Sequence, residues 1–131
     1  MNLKVKKYIL PLEKVPVVTL KTIMKIVLEK MTEFKVGCAV VLDDKRKLTG
    51  ILTDGDIRRI MLNSQKPLSA ILIDDIEVYL NKNPVTTNPE DDVDKAIKTL
   101  EDVGHYLPVL DKKNTFLGLF NGHLVDKTKK V

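Results

Sequence analysis

The sequence contains no tryptophan, and aromatic residues make up only 5% of its 131 residues. Hydrophobic residues nevertheless amount to 44%, so we expect a core of Val, Ile, Leu and Met in one ordinary soluble domain. No apolar run approaches the length of a membrane span, and no signal peptide precedes the first charged residues. These absences predict a cytoplasmic protein with no membrane association.

Cysteine and histidine are scarce, which limits catalysis and metal binding. Cys38 is the only cysteine, so no internal disulfide can form, and its apolar neighbours indicate a small buried hydrophobe rather than a catalytic thiol. The two histidines come without the carboxylates or cysteines that would complete a metal site. Because no nucleophile, base and metal set is visible, we predict that the chain is not an enzyme and requires no cofactor.

The charge of the chain is nearly balanced, since 22 Lys and Arg residues against 18 Asp and Glu residues give a net charge of +4. The lysines gather at the two ends of the chain, at Lys4, Lys6, Lys7, Lys127, Lys129 and Lys130. A nucleic-acid surface needs basic residues along one element, usually with aromatic residues or a known motif, and neither is visible. We therefore expect no nucleic-acid partner and interpret the ends as frayed, solvated termini.

The chain contains an internal duplication. Three segments recur 68 positions later: Pro16-Val17-Val18-Thr19 as Pro84-Val85-Thr86-Thr87, Val40-Val41-Leu42-Asp43 as Pro108-Val109-Leu110-Asp111, and Leu48-Thr49-Gly50-Ile51-Leu52 as Phe116-Leu117-Gly118-Leu119-Phe120. Three matches at one offset predict two copies of one structural unit. We place the copies at residues 1–63, with a lead-in, and 64–131, with a connecting segment.

Each copy predicts the same order of elements, β-α-β-β-α. A short strand carries the Pro-Val pair, and the next helix has apolar residues at i, i+3, i+4 and i+7: Met24, Val27, Leu28 and Met31, then Val93, Ala96, Ile97 and Leu100. Asn88-Pro89-Glu90 is expected to begin the second of these helices. Strands are predicted over 38–42, 48–52, 107–110 and 115–120, and a short helix over 76–80. One such small sheet cannot bury both faces, so we predict an α/β (α+β) fold in which two pseudo-symmetric repeats pack through their sheets.

The most informative segment follows the second strand of the first copy, where a helix is predicted to begin at Thr53. Unpaired N–H groups at a helix N-terminus suit phosphate, the Thr53 hydroxyl can donate to it, and Asp56 can accept both hydroxyls of a ribose. Gly55 leaves room for close approach. The same Thr53 and Asp56 also fit a capping box, in which they only stabilise the helix.

With this motif and the duplication, the sequence resembles the CBS domain family over residues 15–125. The resemblance is to a tandem pair of CBS domains, also called a Bateman module. The family's ligand motif is Gly, two apolar residues, Thr or Ser, two residues of any type, then Asp, and Gly50, Thr53 and Asp56 match it. The resemblance implies a non-catalytic regulatory module that binds a nucleotide between its two repeats, an adenine nucleotide being the typical ligand.

Carried over from the family, Thr53 and Asp56 of the first copy are expected to face Thr86, His105 and Tyr106 of the second. A histidine before Leu-Pro-Val contacts nucleotide phosphate in the family, although a lone histidine at a strand end is commonly a plain surface residue. Tyr106 has two interpretations, stacking on a base or packing beside the sheet.

The equivalent motif of the second copy is altered. Asn121 replaces the Thr and Leu124 replaces the Asp, so no carboxylate remains there to hold a ribose, and the residues expected to face it (Val18, Gly37 and Cys38) carry no charge. We therefore predict one nucleotide site per chain. Arg58 and Arg59 follow the intact motif and are interpreted either as phosphate or subunit contacts or as solvated side chains.

The run Thr-Asp-Gly-Asp-Ile-Arg-Arg is most similar to the CBS pairs of arabinose-5-phosphate isomerases, and similar runs occur in CBS pairs of sugar-phosphate nucleotidyltransferases. This resemblance implies regulation of such a catalytic domain and adds a cytidine nucleotide-sugar to the candidate ligands, which otherwise are adenine nucleotides and S-adenosylmethionine. A homodimer is expected, because CBS pairs commonly dimerise. The alternative hypothesis is a structural dimerisation module that binds no ligand.

Overall fold

The computed structural model describes residues 3–129, and side chains up to Val125. Its strands and helices are, in chain order, β1 (Ile9–Pro11), β2 (Val17–Val18), α1 (Met24–Phe34), β3 (Cys38–Leu42), β4 (Leu48–Thr53), α2 (Asp54–Asn63), α3 (Leu68–Leu72), α4 (Val93–Val103), β5 (Tyr106–Leu110), β6 (Phe116–Asn121) and α5 (Gly122–Lys129). The chain forms two compact units: a central unit, Val15–Asn83, and a terminal unit that joins Met1–Lys14 to Pro84–Val131.

The sheet of the central unit has the strand order β2-β3-β4. β2 is parallel to β3, with Val17 beside Val40, and β3 and β4 form an antiparallel hairpin in which Cys38 lies opposite Thr53. The buried side chains of this unit pack in one cluster: Val18, Met24, Val27, Met31, Ala39, Val41, Leu52, Ile76 and Leu80. This core positions the open end of the hairpin and hence the start of α2.

The terminal unit repeats the hairpin with a different third strand. β5 and β6 are antiparallel, with Tyr106 opposite Asn121, and β1 pairs with the other edge of β6. Its buried cluster is Val5, Val93, Ala96, Leu100, Leu107, Val109, Phe120 and Val125. The register of both hairpins shifts at equivalent positions, between Val41 and Leu42 and between Val109 and Leu110. The prediction of two mixed α/β repeats is confirmed.

The helices α1 and α4 have the apolar stripes that their periodicity predicts. In α1 the predicted positions Met24, Val27 and Met31 are buried, and in α4 the same holds for Val93 and Leu100. Burial of one apolar stripe therefore fixes both helices against their sheets. Among residues 3–129, no helix combines the length and the apolar composition that a bilayer span requires.

The predicted second Pro-Val strand is wrong. Pro84 and Val85 form no strand, and only Thr87 pairs with Val109 through a single parallel bridge. In the first copy the Val40 N–H donates to the Pro16 carbonyl at 3.0 Å, which joins the start of the first strand to the sheet. Pro108 occupies the equivalent position in the second copy and has no N–H, so this hydrogen bond cannot form.

The predicted start of the second helix is also wrong. Residues 88–91 form a turn, and α4 begins at Val93. The Asn88 side chain accepts from the Glu90 N–H at 2.8 Å, and the Asp91 carboxylate accepts from the Thr87 hydroxyl and the Asn88 N–H at 2.9 and 3.1 Å. These side-chain hydrogen bonds compete with the helical ones, a common use of Asn and Asp.

The lead-in is ordered, against the prediction of a frayed N-terminus. Val5 is fully buried, its N–H donates to the Asp91 carbonyl, and Lys4 and Lys6 pair with Asp92 and Glu90 at 2.8 and 3.2 Å. The strand β1 and the short helix α3 were not expected at all. Of the C-terminal lysines, Lys130 lies outside the described residues, as do the side chains of Lys127 and Lys129.

The two compact units do not coincide with the two sequence copies, 1–63 and 64–131. The lead-in of the first copy packs with the second copy, and residues 64–83 pack with the first. Ile76 is buried in the central core, while Ile51 and Asn81 exchange backbone hydrogen bonds at 3.0 and 2.9 Å. In each unit a connecting segment thus pairs with the outer strand of the hairpin. The segment with Asn81 pairs with β4, and the segment with β1 pairs with β6. The predicted helix over 76–80 is a single 3₁₀ turn, Ile76–Val78.

Candidate functional site

The predicted ligand motif lies at a strand–helix junction. β4 ends at Thr53 and α2 begins at Asp54, whose N–H donates to the Gly37 carbonyl at 3.0 Å. This hydrogen bond continues the β3–β4 pairing by one residue and fixes the direction in which the helix leaves the sheet. The first turn of α2 is therefore held at the open end of the hairpin, away from the Asp43–Lys47 turn.

Thr53 and Asp56 form a complete capping box. The Asp56 N–H donates to the Thr53 hydroxyl oxygen at 3.2 Å, and the Thr53 N–H donates to the Asp56 carboxylate at 3.0 Å. Two N–H groups of the first turn are thereby satisfied. The capping interpretation of these two residues is confirmed, whereas their role toward a ligand stays a prediction.

Capping leaves both side chains with hydrogen-bonding capacity. In the box the Thr53 hydroxyl acts only as acceptor, so its own proton remains available to a ligand oxygen. An ionised carboxylate has about four acceptor positions, and Asp56 uses one on the backbone and one on Arg59. The Asp56 side chain is 24% exposed. The junction can therefore cap the helix and still accept hydroxyl groups from a bound molecule.

Arg59 is the second partner of Asp56. Its guanidinium donates to the Asp56 Oδ1 atom at 2.8 Å, one helical turn along α2. A Cβ on Gly55 would lie 3.3 Å from the Arg59 Nη1 atom, so the guanidinium lies directly beside the bare backbone of Gly55. The sequence left two interpretations of Arg59, a ligand or subunit contact and a solvated side chain. Its i, i+3 spacing from Asp56 is the signal that could have indicated this ion pair.

Cys38 lies behind this junction, opposite Thr53 in the hairpin. It is fully buried, as predicted, and burial raises the pKa of its thiol, with further increases from the negative charges of Asp56 and Asp54. A thiol in this state is protonated and a poor nucleophile. Cys38 therefore fills the core beneath the site and takes no part in covalent chemistry there.

The predicted residues of the second copy lie in the terminal unit. His105 is exposed and directly precedes β5, which begins at the half-buried Tyr106. The ring of His105 stacks on that of His123, with 5.2 Å between centroids and 26° between planes. This pair was not foreseen, because the two residues meet only when β5 and the start of α5 are brought together.

Thr86 lies at a different end of the terminal unit from His105. It is exposed and lines a shallow depression together with Asp91, Asp111 and Asn114, where the β5–β6 hairpin turns. His105 precedes the opposite end of β5, five residues before Leu110, or roughly 16 Å along an extended chain. Within this unit His105 and Tyr106 therefore lie together, and Thr86 lies apart from them.

The altered motif of the second copy caps a helix. The Asn121 side chain accepts from the His123 N–H at 2.9 Å, just as a helix-capping residue does at the start of α5. Leu124 occupies the position equivalent to Asp56 and provides no carboxylate. No cluster of three His, Cys, Asp or Glu side chains that would hold a metal ion occurs in the part of the chain that the structure describes.

Gly50, the first residue of the motif, serves packing. A Cβ at this position would lie 2.6 Å from the Asn81 carbonyl oxygen and 2.7 Å from the Leu80 side chain. Its repeat equivalent, Gly118, faces the Leu10 carbonyl oxygen, where a Cβ would approach to 2.2 Å. Glycine is therefore required in each copy because a connecting segment lies directly against the strand there. The sequence pattern alone did not show this.

Comparison with known proteins identifies the duplicated unit. The family model of the CBS domain matches the chain twice, at residues 5–63 and 73–121. The fold is similar to that of CBSX2 in complex with AMP, with a TM-score of 0.81 at 23% identity over 97% of this chain and 96% of that one. It is equally similar to the CBS domain pair of protein MJ0100 in complex with 5′-methylthioadenosine and S-adenosyl-L-methionine, with a TM-score of 0.81 at 15% identity over 99% and 98%.

An enzyme is among the relatives. The chain is 35% identical over 113 residues to arabinose 5-phosphate isomerase KdsD of Pseudomonas aeruginosa, covering 85% of this chain but 33% of the isomerase. Of this isomerase and three uncharacterised Chlamydia relatives, the chain spans only 33% to 39% of the length. The sequence prediction of a resemblance to such isomerases is confirmed at the level of this shared segment.

Proposed function

We propose that this chain, which belongs to the CBS domain family, is a non-catalytic regulatory module that binds a nucleotide-type ligand. The observation that carries the proposal is the half-buried Asp56 carboxylate beside the Thr53 hydroxyl, at the N-terminus of α2 and within the family's ligand motif. Asp56 accepts hydroxyl groups of the ribose, and Thr53 donates to a phosphate oxygen. The predicted candidates of the second repeat are His105 and Tyr106, at the start of β5, and Thr86, which lies at the other end of that unit and therefore cannot share their contacts.

The class of ligand follows from the chemistry of the motif and from the structural neighbours. AMP, 5′-methylthioadenosine and S-adenosyl-L-methionine, named in the two similar structures, share a ribose joined to adenine. A ribose needs an acceptor for its paired hydroxyls, and Asp56 is the carboxylate of the intact motif that is held in place by a backbone N–H. The candidates are therefore adenine nucleotides, S-adenosylmethionine and, by the isomerase relationship, a cytidine nucleotide-sugar.

A calorimetric titration of the purified chain with AMP, ADP, ATP, S-adenosylmethionine and a CMP-sugar tests the proposal. One site per chain is expected, since the second motif lacks its carboxylate. Replacing Asp56 by Asn should weaken binding of the best ligand by about tenfold or more, because a hydrogen bond to a charged group contributes about 1.5–3 kcal/mol. His105→Gln should reduce the affinity for nucleotides more than that for their nucleosides.

The matched control for Asp56→Asn is Asp54→Asn. Asp54 is an exposed carboxylate in the same first turn of α2, and it lies outside the capping box. Its replacement removes the same charge near the same helix N-terminus and should change affinity by less than about twofold. Binding that survives Asp56→Asn unchanged would contradict the proposed site, as would the absence of any binding at millimolar ligand.

We further propose that the chain forms a homodimer and acts on a sugar-phosphate enzyme domain. The central unit exposes five large apolar side chains at the end of α2, along α3 and in the next turn: Met61, Leu62, Leu68, Ile73 and Val78. Exposed apolar side chains concentrated in one stretch of the chain are candidates for an interface. Sedimentation equilibrium of the wild type and of Leu62→Glu tests this, and the variant is expected to dissociate more readily, at protein concentrations where the wild type is still dimeric.

One observation favours a second candidate function. The capping box of Thr53 and Asp56 is complete without a ligand, which is what a purely structural pairing module requires. In that case the chain dimerises but binds none of the nucleotides, and Asp56→Asn lowers only stability. Calorimetry on the dimeric wild type separates the two functions directly.

A further inference from the structure

The first turn of α2 is strongly acidic for a site that is to receive a phosphate. Asp54 and Asp56 both lie in this turn, and the ligand's ribose is proposed to bind Asp56 itself. A phosphate attached to that ribose comes within a few ångströms of these carboxylates, where like charges repel. The positive end of the helix dipole offsets only about half an elementary charge. A cation near the junction therefore favours the binding of a nucleotide over that of its nucleoside.

Arg59 is the cation that the structure holds at this place. Its guanidinium is paired with Asp56 Oδ1 and lies against the backbone of Gly55, in the middle of the same turn. The Arg59 side chain is 59% exposed, long and flexible. Its guanidinium can therefore change position by rotation about the side-chain bonds, without movement of the helix. The ion pair is an exposed i, i+3 contact of the kind that contributes little to stability.

We propose that Arg59 is a phosphate-binding residue whose guanidinium moves from Asp56 to the ligand. In the free protein it neutralises Asp56 and covers Gly55. When a nucleotide binds, the ribose hydroxyls take the place of the guanidinium on Asp56 Oδ1, and the guanidinium forms charge-assisted hydrogen bonds with the phosphate. A nucleoside breaks the same ion pair and offers the guanidinium no anion, so Arg59 selects for phosphorylated ligands. This inference rests on the proposed function of the site.

Calorimetry with matched pairs of nucleotide and nucleoside, AMP with adenosine and CMP with cytidine, tests the proposal. Arg59→Gln should lower the affinity for the bound nucleotide by about tenfold or more and change that for its nucleoside by no more than about twofold. Arg59→Lys keeps the charge without the planar fork and should restore part of the loss. Arg58→Gln removes an equal charge from the neighbouring position and should leave the nucleotide-to-nucleoside ratio within about twofold.

Failure of this inference is distinguishable from failure of the proposed function. If the wild type binds a nucleotide through Asp56 but Arg59→Gln leaves the ratio unchanged, Arg59 only pairs with Asp56 and the inference is wrong. An equal loss for nucleotide and nucleoside also overturns it, because it indicates a structural effect on α2. If the wild type binds no member of either pair, the proposed function and this inference fall together.

Discussion

Replacing Gly118 by Ala tests whether β1 lies as close to β6 as the structure has it. A Cβ at Gly118 would lie 2.2 Å from the Leu10 carbonyl oxygen and 2.6 Å from the Ile9 Cγ2 atom. The residue also has φ +153°, which side chains other than glycine rarely adopt. Relief of the clash requires β1 to move away from β6, so the hydrogen bonds of that edge are strained or lost.

The expected loss of stability can be built up from two contributions. Forcing an extra carbon into a packed site costs about 1–3 kcal/mol, and an unfavourable backbone conformation costs about 1–3 kcal/mol more. The lower flexibility of alanine in the unfolded chain returns up to about 1 kcal/mol. A net loss of about 1–6 kcal/mol is expected for Gly118→Ala, with a middle value that is a large part of the about 5–15 kcal/mol by which ordinary proteins are stable.

Two further glycine variants separate the contributions. Gly104 has φ +122°, and a Cβ added there would meet no atom within 4 Å, so Gly104→Ala carries the conformational cost alone, about 1–3 kcal/mol. Gly50→Ala places a Cβ 2.6 Å from the Asn81 carbonyl oxygen and carries the packing cost. Urea unfolding followed by far-UV circular dichroism measures all three, since the chain has no tryptophan. If Gly118→Ala is no less stable than Gly104→Ala, the close approach of β1 is refuted.

Three other outcomes follow from the same structure. Thr53→Ala should lower the free energy of unfolding by about 1 kcal/mol through loss of the helix cap, while Thr53→Ser should retain most of it, as measured by urea unfolding. Hydrogen bonds from the Lys66 ammonium and then from the Tyr79 hydroxyl hold the pKa of Asp74 below its usual value of 3.8. The ionised Asp74 therefore contributes stability above pH 3.8, and this stability is lost as the pH falls below that value. Acid denaturation of Asp74→Asn should accordingly begin less steeply than that of the wild type. Cys38 should react with a thiol reagent only as fast as the protein unfolds, and rapid reaction of the native chain would contradict its burial.

Much of the fold could be predicted because the sequence contains two copies of the same unit. The apolar stripe of α1 and that of α4 were read from spacing alone, and the hairpin strands were predicted to within one or two residues. Each of these elements is fixed by local periodicity and by burial of its own apolar side. Repetition at one offset then supports every assignment in one copy by its equivalent in the other.

The elements that were wrong or missing depend on partners distant in sequence. Pro84 and Val85 form no strand because Pro108, 24 residues after Pro84, has no N–H to offer. β1 exists because β6 presents a free edge to it, and nothing in the composition of Ile9–Pro11 indicates that partner. Pairing between distant segments is set by which edges remain available after the core has packed, and a single sequence does not encode it locally.

The candidate site shows the same division. The motif with Gly50, Thr53 and Asp56 was visible in the sequence, but it did not reveal that Gly50 serves packing or that Thr53 and Asp56 already satisfy one another. The guanidinium of Arg59 at the Asp56 carboxylate also became visible only in three dimensions, as did the stacking of His105 on His123.

By itself the sequence determined the duplication, the amphipathic helices, the hairpins and the position of the one intact ligand motif, because periodicity and residue chemistry are properties of neighbouring positions. Only the tertiary structure decided which connecting segment covers which hairpin, where a glycine is obligatory, and which cation is paired with the motif's carboxylate. Those features depend on distances between atoms of separate segments, and the chain establishes these distances only when it folds.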